Sequence, residues 1–191
     1  MDSIQVMAMI SNRHCHLTQE DFETLFGKDG QLTVKKMMGK TEFAANECVS
    51  IVGARGRMDG IRILSPLRRY TQVELFRGDC RQLGIKAPIV DSGNLDDAGE
   101  IEIIGPKGSI KKKAAIIALR HVHLTPAKAE ELQLKDKDWV SVKVGGERGL
   151  TFDNVLVRVQ PGDFTPVIHF DVEEGNAACV NNGDMLEVIK A

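Results

Sequence analysis

The chain has 191 residues, of which 42% are hydrophobic, and a formal net charge of -2 at pH 7. This size allows one large domain or two small ones around a buried core, and the balanced charge excludes a global field that attracts nucleic acid or an anionic membrane. The 4 cysteines include no Cys-x-x-Cys pair, which excludes a thiolate zinc site or a disulfide framework and is typical of reduced thiols in a cytosol.

Membrane and export signals are also absent from the sequence pattern. No apolar run approaches the roughly 18 residues that a membrane span requires, and the segment before Ile4 lacks the basic region of a signal peptide. We therefore expect a soluble, cytoplasmic protein.

An internal repeat organises the chain. The segment Arg13-His14-Cys15-His16-Leu17-Thr18 returns 107 residues later as Arg120-His121-Val122-His123-Leu124-Thr125. A repeat at this spacing predicts two related halves, residues 1–92 and 93–191, with a soft boundary that strands are able to cross.

Each copy of the repeat is predicted to run from a strand through the histidines into a short helix. Apolar strands are predicted at 4–10 and 114–119. Thr18 with Asp21 resembles a capping box, and Thr125 stands as an N-cap residue before a proline at the first helical position.

Short β-type segments dominate the rest of the chain. They are separated by Gly- and Asn-containing turns and lie at 48–52, 60–64, 101–104, 139–144, 155–159, 166–172 and 185–189. One helix is predicted at 71–83, and the polar region 91–99 is a predicted connection between the halves. The pattern favours a mainly β (α+β) fold of two small barrels capped by short helices.

Histidines are concentrated in the repeat, because 4 of the 5 form the two His-x-His pairs. Alternate residues of a strand share a face, so each pair offers two imidazoles to one ion. His169 lies in an apolar strand, where an unpartnered imidazole is costly to bury. A single pair fits a surface strand edge equally well, and a lone His169 fits a hydrogen-bonded core residue better. The repetition of the His-x-His pair favours a metal-binding role for these histidines.

A second candidate cluster precedes the predicted helix. Arg68 and Arg69 carry the planar fork that suits phosphate. Glu74 offers an oxygen ligand, but the spacing Thr71-x-x-Glu74 is that of a capping box, and the pattern alone favours capping. The run 111–113 of three lysines is interpreted as a solvated face without a functional role.

Taken together, these motifs resemble the PduL-type phosphate propanoyltransferases. The resemblance covers nearly the whole chain and rests on residues 11–17, 66–74, 120–126, 145–150 and 169–178. It implies two β-barrels capped by short helices, with a two-metal site in the cleft between them.

The resemblance also implies roles for individual residues. The first of two zinc ions is expected at His14, His16 and Glu74, and the second at His121, His123 and His169. Arg68 is the expected catalytic arginine, which reverses the preference for capping at Glu74. Contacts to coenzyme A are expected at Ser11, Arg62, Leu64 and Asn176, with Ser92 near phosphate.

The implied reaction is the reversible conversion of acyl-CoA, propanoyl-CoA or acetyl-CoA, and phosphate into acyl phosphate and CoA. It is expected to proceed by direct attack of phosphate, held by zinc, on the thioester carbonyl, which agrees with the lack of a convincing protein nucleophile. The alternatives are a two-metal hydrolase of phosphoesters or thioesters and a non-enzymatic zinc-stabilised binding module. We further expect a homo-oligomer, a dimer, in acetate or propanediol metabolism, without an N-terminal microcompartment-targeting extension.

Overall fold

The computed structural model describes residues 4–190, which form 14 strands and 4 short helices. The strands are β1 (Ile4–Ser11), β2 (His14–His16), β3 (Val34–Met37), β4 (Phe43–Val52), β5 (Arg57–Ser65), β6 (Gln72–Glu74), β7 (Ile89–Val90), β8 (Gly99–Ile104), β9 (Ser109–Ala118), β10 (His121–Leu124), β11 (Trp139–Val144), β12 (Leu150–Val159), β13 (Val167–Asp171) and β14 (Met185–Lys190). The helices are α1 (Gln19–Phe26), α2 (Arg77–Leu83), α3 (Pro126–Glu131) and α4 (Val172–Ala178). No helix within 4–190 has the length or apolar character for a bilayer crossing.

The chain forms two compact units, one of which contains residues 4–12 and 119–190. In this unit six strands close a barrel in the order β1-β13-β10-β12-β11-β14. Alternate residues point inward, as the burial of Val140, Val142 and Val144 along β11 illustrates. The barrel core also contains Phe170, which is fully enclosed.

The other unit is Arg13–Ala118. Its strands β4, β5, β2, β6, β9 and β8 pair in a closed ring, and β3 and β7 extend the sheet at β4 and β9. The core includes Ile51, Ile61, Ile63 and Leu75, all nearly inaccessible to solvent. The predicted fold class, a mainly β protein with two small barrels and short helices, is confirmed.

The pairings of the six strands in one closed ring correspond one to one with those in the other ring. In each unit the His-x-His strand, β2 or β10, pairs in parallel with one neighbour, β5 or β12, and antiparallel with the other, β6 or β13. The strand that precedes the histidines in sequence belongs to the opposite unit: β1 pairs with β13 and β14, and β9 pairs with β6 and β8. The chain therefore passes from one unit to the other just before each His-x-His pair.

This exchange of strands makes the unit boundaries differ from the predicted halves 1–92 and 93–191. Strands β8 and β9 are needed to close the ring between β4 and β6. Residues 93–118 therefore belong to the unit that begins at Arg13. The polar region 91–99, predicted as a connection between halves, instead lies within one unit, between β7 and β8.

Most local predictions agree with the structure, with one important exception. Thr18 and Thr125 are N-cap residues, as predicted, and each strand predicted from the sequence overlaps an observed one. The helix predicted at 71–83 is wrong in its first half, because Gln72–Glu74 is a strand and the helix begins at Arg77. Gln72 and Val73 are both buried, which suits a strand between two neighbours better than a surface helix.

Candidate metal centres

The first group of potential ligands is assembled by the pairing of β2 and β6. The antiparallel register places His14 opposite Glu74, and the strand alternation puts His14 and His16 on one face. The imidazole centroids are 5.0 Å apart, and the His14 Nε2 atom lies 3.5 Å from Glu74 Oε2. One ligand atom from each residue lies within 4.8 Å of the others, so one ion can reach all three.

The second group repeats this arrangement on β10 and β13. Here the antiparallel register places His121 opposite His169. The centroid of the His169 ring lies 4.9 Å from that of His121 and 5.2 Å from that of His123. One nitrogen from each ring again lies within 4.8 Å of the others.

Glu74 and His169 are therefore equivalent third members of the two triads. Each lies directly opposite the first histidine of its pair. The two triads share a backbone arrangement but differ in chemistry, since the first contains a carboxylate, that of Glu74, and the second contains three imidazoles.

Burial keeps the imidazoles of His16 and His121 neutral. Burial, followed by the charges of His14 and Arg68, lowers the pKa of His16 from 6.5 to about 3. Burial, followed by the charge of Arg158, lowers the pKa of His121 from 6.5 to about 2. Neutral imidazole is the form that coordinates metal, so both histidines have that form at neutral pH.

The carboxylate of Glu74 is held in its ionised form. Burial acts to raise its pKa, but the charge of His14 and a hydrogen bond from His14 outweigh burial and hold the pKa well below its usual range. Its Oε1 atom accepts hydrogen bonds from Gln72 Nε2 at 2.7 Å and Ser92 Oγ at 3.0 Å. These contacts orient Oε2 toward His14.

Hydrogen bonds to the imidazoles select which ring nitrogen is available to a metal. His121 Nδ1 lies 2.8 Å from the carbonyl oxygen of Leu119, which leaves Nε2 as the ligand atom. His16 bonds the backbone of Leu64, and its buried Nδ1 has no hydrogen-bond partner within the described part of the chain. A buried nitrogen without a partner lowers the stability of the folded protein. Coordination to a divalent metal ion supplies that partner. The donor sets therefore fit metal.

Gln72 is a site residue that the sequence analysis did not select. Its side chain is fully buried, and in addition to its contact with Glu74 it donates to Ser92 Oγ at 2.7 Å and accepts from the Gly93 N–H at 2.7 Å. The available signal was its position two residues before Glu74, which places both side chains on one face of a strand.

The remaining predicted residues divide between the two units. Arg62, Leu64, Arg68 and Ser92 share a unit with the first triad, and Ser11 and Asn176 share one with the second. Arg62 lies opposite His14 in β5, with Nη1 donating to the Ala45 carbonyl at 2.5 Å. Ser11 lies opposite Asp171 at the end of β1, and Asn176 lies in α4.

Arg68 lies in the segment 66–71 that connects β5 to β6. Its backbone N–H donates to the Leu17 carbonyl at 2.8 Å, which ties this segment to the residue directly after His16. Its Nη1 atom donates to the Tyr70 hydroxyl at 3.2 Å. The guanidinium is exposed and lies near enough to the first triad to lower the pKa of His16.

A partly buried ion pair between Asp21 and Lys112 also holds the segment 66–71 in place. The Asp21 carboxylate accepts from the Thr71 hydroxyl and from Lys112 Nζ, and the Thr18 N–H donates to Thr71 Oγ1 at 3.1 Å. The interpretation of the lysine run as a purely solvated face is wrong for Lys112, because its ammonium group compensates a carboxylate of which only 10% is exposed.

The fold and the two triads define a two-barrel protein with two candidate metal centres. A family model for phosphate propanoyltransferase matches residues 7–181. Curated relatives with the same name include a protein from Thermotoga maritima, which is 46% identical over 97% of this chain and 89% of the relative. A relative from Rhodopseudomonas palustris is 44% identical over 100% of this chain and 84% of the relative. One from Salmonella typhimurium is 39% identical over 91% of this chain and 83% of the relative. The chain belongs to the phosphate propanoyltransferase family.

The lowered histidine pKa values predict that the metal-free protein loses stability in mild acid. Between pH 6.5 and about 3 the unfolded chain protonates His16 and His121 while the folded chain does not. Stability is therefore fully present above pH 6.5 and falls by up to about 1.4 kcal/mol per pH unit for each histidine as the pH decreases. Urea unfolding in a chelator at pH 7.5 and 5.5 measures this loss. His121→Asn is the control, because it should reduce the slope; an identical slope would contradict the assignment.

Proposed function

We propose that this chain is a phosphate acyltransferase that converts an acyl-CoA and inorganic phosphate into acyl phosphate and CoA, reversibly. Family membership supports the reaction class. The acyl group is proposed to be propanoyl or acetyl. The two groups differ by one methylene, which a pocket distinguishes by only about 1–3 kcal/mol.

Zinc is the proposed metal, one ion at each triad. Imidazole and carboxylate are ligands that zinc prefers, and three protein ligands are typical of a catalytic site that retains an open position. A zinc ion at such a site supplies Lewis-acid stabilisation and orientation of the bound oxyanion. The orphaned Nδ1 of His16 and the orientation of Glu74 by Gln72 and Ser92 support this assignment.

Arg68 is proposed to bind phosphate and to stabilise the negative charge that develops on the thioester oxygen. The observation that carries the proposal is the hydrogen bond from the Arg68 backbone N–H to the Leu17 carbonyl at 2.8 Å, which holds Arg68 beside His16. Its exposed guanidinium is accessible to a substrate, and a charged fork aimed at developing charge is a strong catalytic device. Ser92 and Gln72 hold Glu74, and Ser11, Arg62, Leu64 and Asn176 are proposed contacts of CoA.

The phosphate oxygen bonds to the carbonyl carbon, and negative charge develops on the carbonyl oxygen. The carbon–sulfur bond then breaks as the carbonyl re-forms, and its electron pair leaves with the thiolate of CoA. Direct transfer requires no protein nucleophile. Cys15 is unsuited to that role, because burial raises the pKa of its thiol and its side chain lies in the barrel core.

The test is phosphate-dependent release of CoA from propanoyl-CoA and acetyl-CoA by the zinc-loaded protein, with acyl phosphate identified as product. We expect release only with phosphate, and intersecting rather than ping-pong kinetics. Release of free acid without phosphate would instead identify a hydrolase, and zinc binding without any CoA release would identify a binding module. A trapped acyl-enzyme would refute direct transfer.

A further inference from the structure

The arginine that precedes each His-x-His pair has no role in the proposed chemistry, although the repeat includes it in both copies. Arg13 directly precedes His14, and Arg120 directly precedes His121. Each arginine forms an ion pair with an acidic residue far away in sequence. Arg13 Nε lies 2.8 Å from Asp79 Oδ2, and Arg120 Nη1 lies 2.6 Å from Glu174 Oε1.

The two acidic partners occupy equivalent positions. Asp79 follows Glu74 by five residues, and Glu174 follows His169 by the same number. Each is the third residue of the helix that begins just after the strand carrying the third triad member. The ion pair therefore joins the strand of the two histidines to the helix that follows the third ligand in sequence.

Each acidic side chain also fixes the start of its helix. Asp79 Oδ2 accepts from the Phe76 N–H at 3.2 Å, and Glu174 Oε2 accepts from the Asp171 N–H at 3.1 Å. These N–H groups belong to the N-cap residues, two positions after Glu74 and His169 respectively. One carboxylate thus binds the arginine and the backbone next to the third ligand.

An aromatic ring confines each guanidinium further. The guanidinium carbon of Arg13 lies 4.9 Å from the ring centroid of Phe76, and that of Arg120 lies 5.4 Å from the centroid of Phe152. Arg120 Nε also donates to the Asp153 carbonyl at 2.8 Å. Contacts on the ring face and with a fixed acceptor restrict rotation of the long side chain.

We infer that Arg13–Asp79 and Arg120–Glu174 are two equivalent clamps, each of which sets the distance between the histidine pair and the third ligand of its own triad. The inference rests on the proposed metal centres and assigns the arginines as positioning residues, not as ligands or catalytic groups. Because each clamp lies within one triad's unit, loss of a clamp should affect only that triad.

The test measures zinc affinity at each triad separately by competition with a chromophoric chelator. Zinc affinity of the first triad is measured in the full chain with His121→Asn and His123→Asn, which remove ligands of the second triad. Affinity of the second triad is measured in the full chain with His14→Asn and His16→Asn. We expect Arg13→Gln to weaken zinc binding at the first triad about 10- to 100-fold, the range known for groups that orient metal ligands. Arg120→Gln should weaken zinc binding at the second triad to the same extent. Neither substitution should change the zinc affinity of the other triad.

A double-mutant cycle separates positioning from general stability. If the pair acts as a unit, Arg13→Gln with Asp79→Asn should weaken zinc no more than Arg13→Gln alone. Arg13→Lys keeps the charge and should recover part of the affinity, and this variant serves if the glutamine variant does not fold. Arg57→Gln, which breaks the exposed Arg57–Asp59 pair with Nε and Oδ1 2.7 Å apart, is the matched control and should leave both affinities unchanged.

Two results would overturn the inference of the clamps while leaving the proposed metal centres in place. Unchanged zinc affinity with a lowered melting temperature of the metal-free protein would show that the arginines only stabilise the fold. Equal weakening of both triads by one substitution would show a general effect. A wild-type chain that binds no zinc would instead refute the proposed centres themselves, together with the clamps.

Discussion

Replacement of Arg68 by alanine is expected to lower kcat about 100- to 1000-fold while the zinc content stays at two ions per chain. The reason is that Arg68 contributes charge at the first triad without being one of its ligands. Removal of a donor aimed at developing negative charge costs a factor of this size in other enzymes. Steady-state CoA release and metal analysis on the same preparation measure both quantities.

Arg69 provides the matched control for this experiment. It is the adjacent, equally exposed arginine, so Arg69→Ala removes the same charge from the same loop without removing the group near His16. We expect it to retain activity within a few-fold. Arg68→Lys separates charge from geometry, because lysine keeps the charge but not the fork, and it should recover only a small part of the lost rate. Equal losses from Arg68→Ala and Arg69→Ala would show that the loop contributes charge only.

The barrels were largely accessible to prediction from the sequence. Period-two alternation in segments such as 139–144 identifies strands because one face packs in a core and the other does not. The sequence allowed strands to cross between the halves but did not show that β1 and β9 are the ones that cross, since the apolar pattern shows that a strand is buried but not which barrel buries it. The predicted domain boundary therefore followed chain order, whereas the units do not.

The candidate triads were identified through two different kinds of signal. Repetition alone brought out the histidine pairs, because two copies of an uncommon pattern reinforce one another. Glu74 was ambiguous, since the same four-residue spacing from Thr71 describes a helix cap and a strand residue. The family resemblance was the second signal and implied a metal ligand at Glu74, and the pairing of β6 with β2 shows that it is a strand residue.

Long-range electrostatic contacts were beyond the reach of local patterns. Lys112 and Asp21 are 91 residues apart, and Arg13 and Asp79 are 66 apart. Nothing within a window of a few residues distinguishes them from solvated charges. The shared position of Asp79 and Glu174 became visible only after the register had matched Glu74 with His169.

That match leads to a prediction about the third ligands. Glu74→Ala should remove one zinc ion per chain and lower activity by more than about 100-fold, the largest loss typical of groups that only orient a ligand. It removes a ligand itself and leaves Gln72 and Ser92 facing an empty position. Glu74→His reproduces on β6 the three-imidazole set of the other triad, where the same register position holds His169. We therefore expect Glu74→His to restore the second zinc ion.

Activity and metal content should separate in Glu74→His. An imidazole in place of the carboxylate raises the charge of the loaded centre by one unit, and it cannot accept from both Gln72 and Ser92 as Glu74 Oε1 does. Zinc should return to two ions per chain while activity stays below that of the wild type. His169→Glu is the reciprocal variant and should keep its metal for the same reason. If Glu74→His bound no more zinc than Glu74→Ala, the two positions would not be interchangeable, and the equivalence drawn from the strand register would not extend to metal binding.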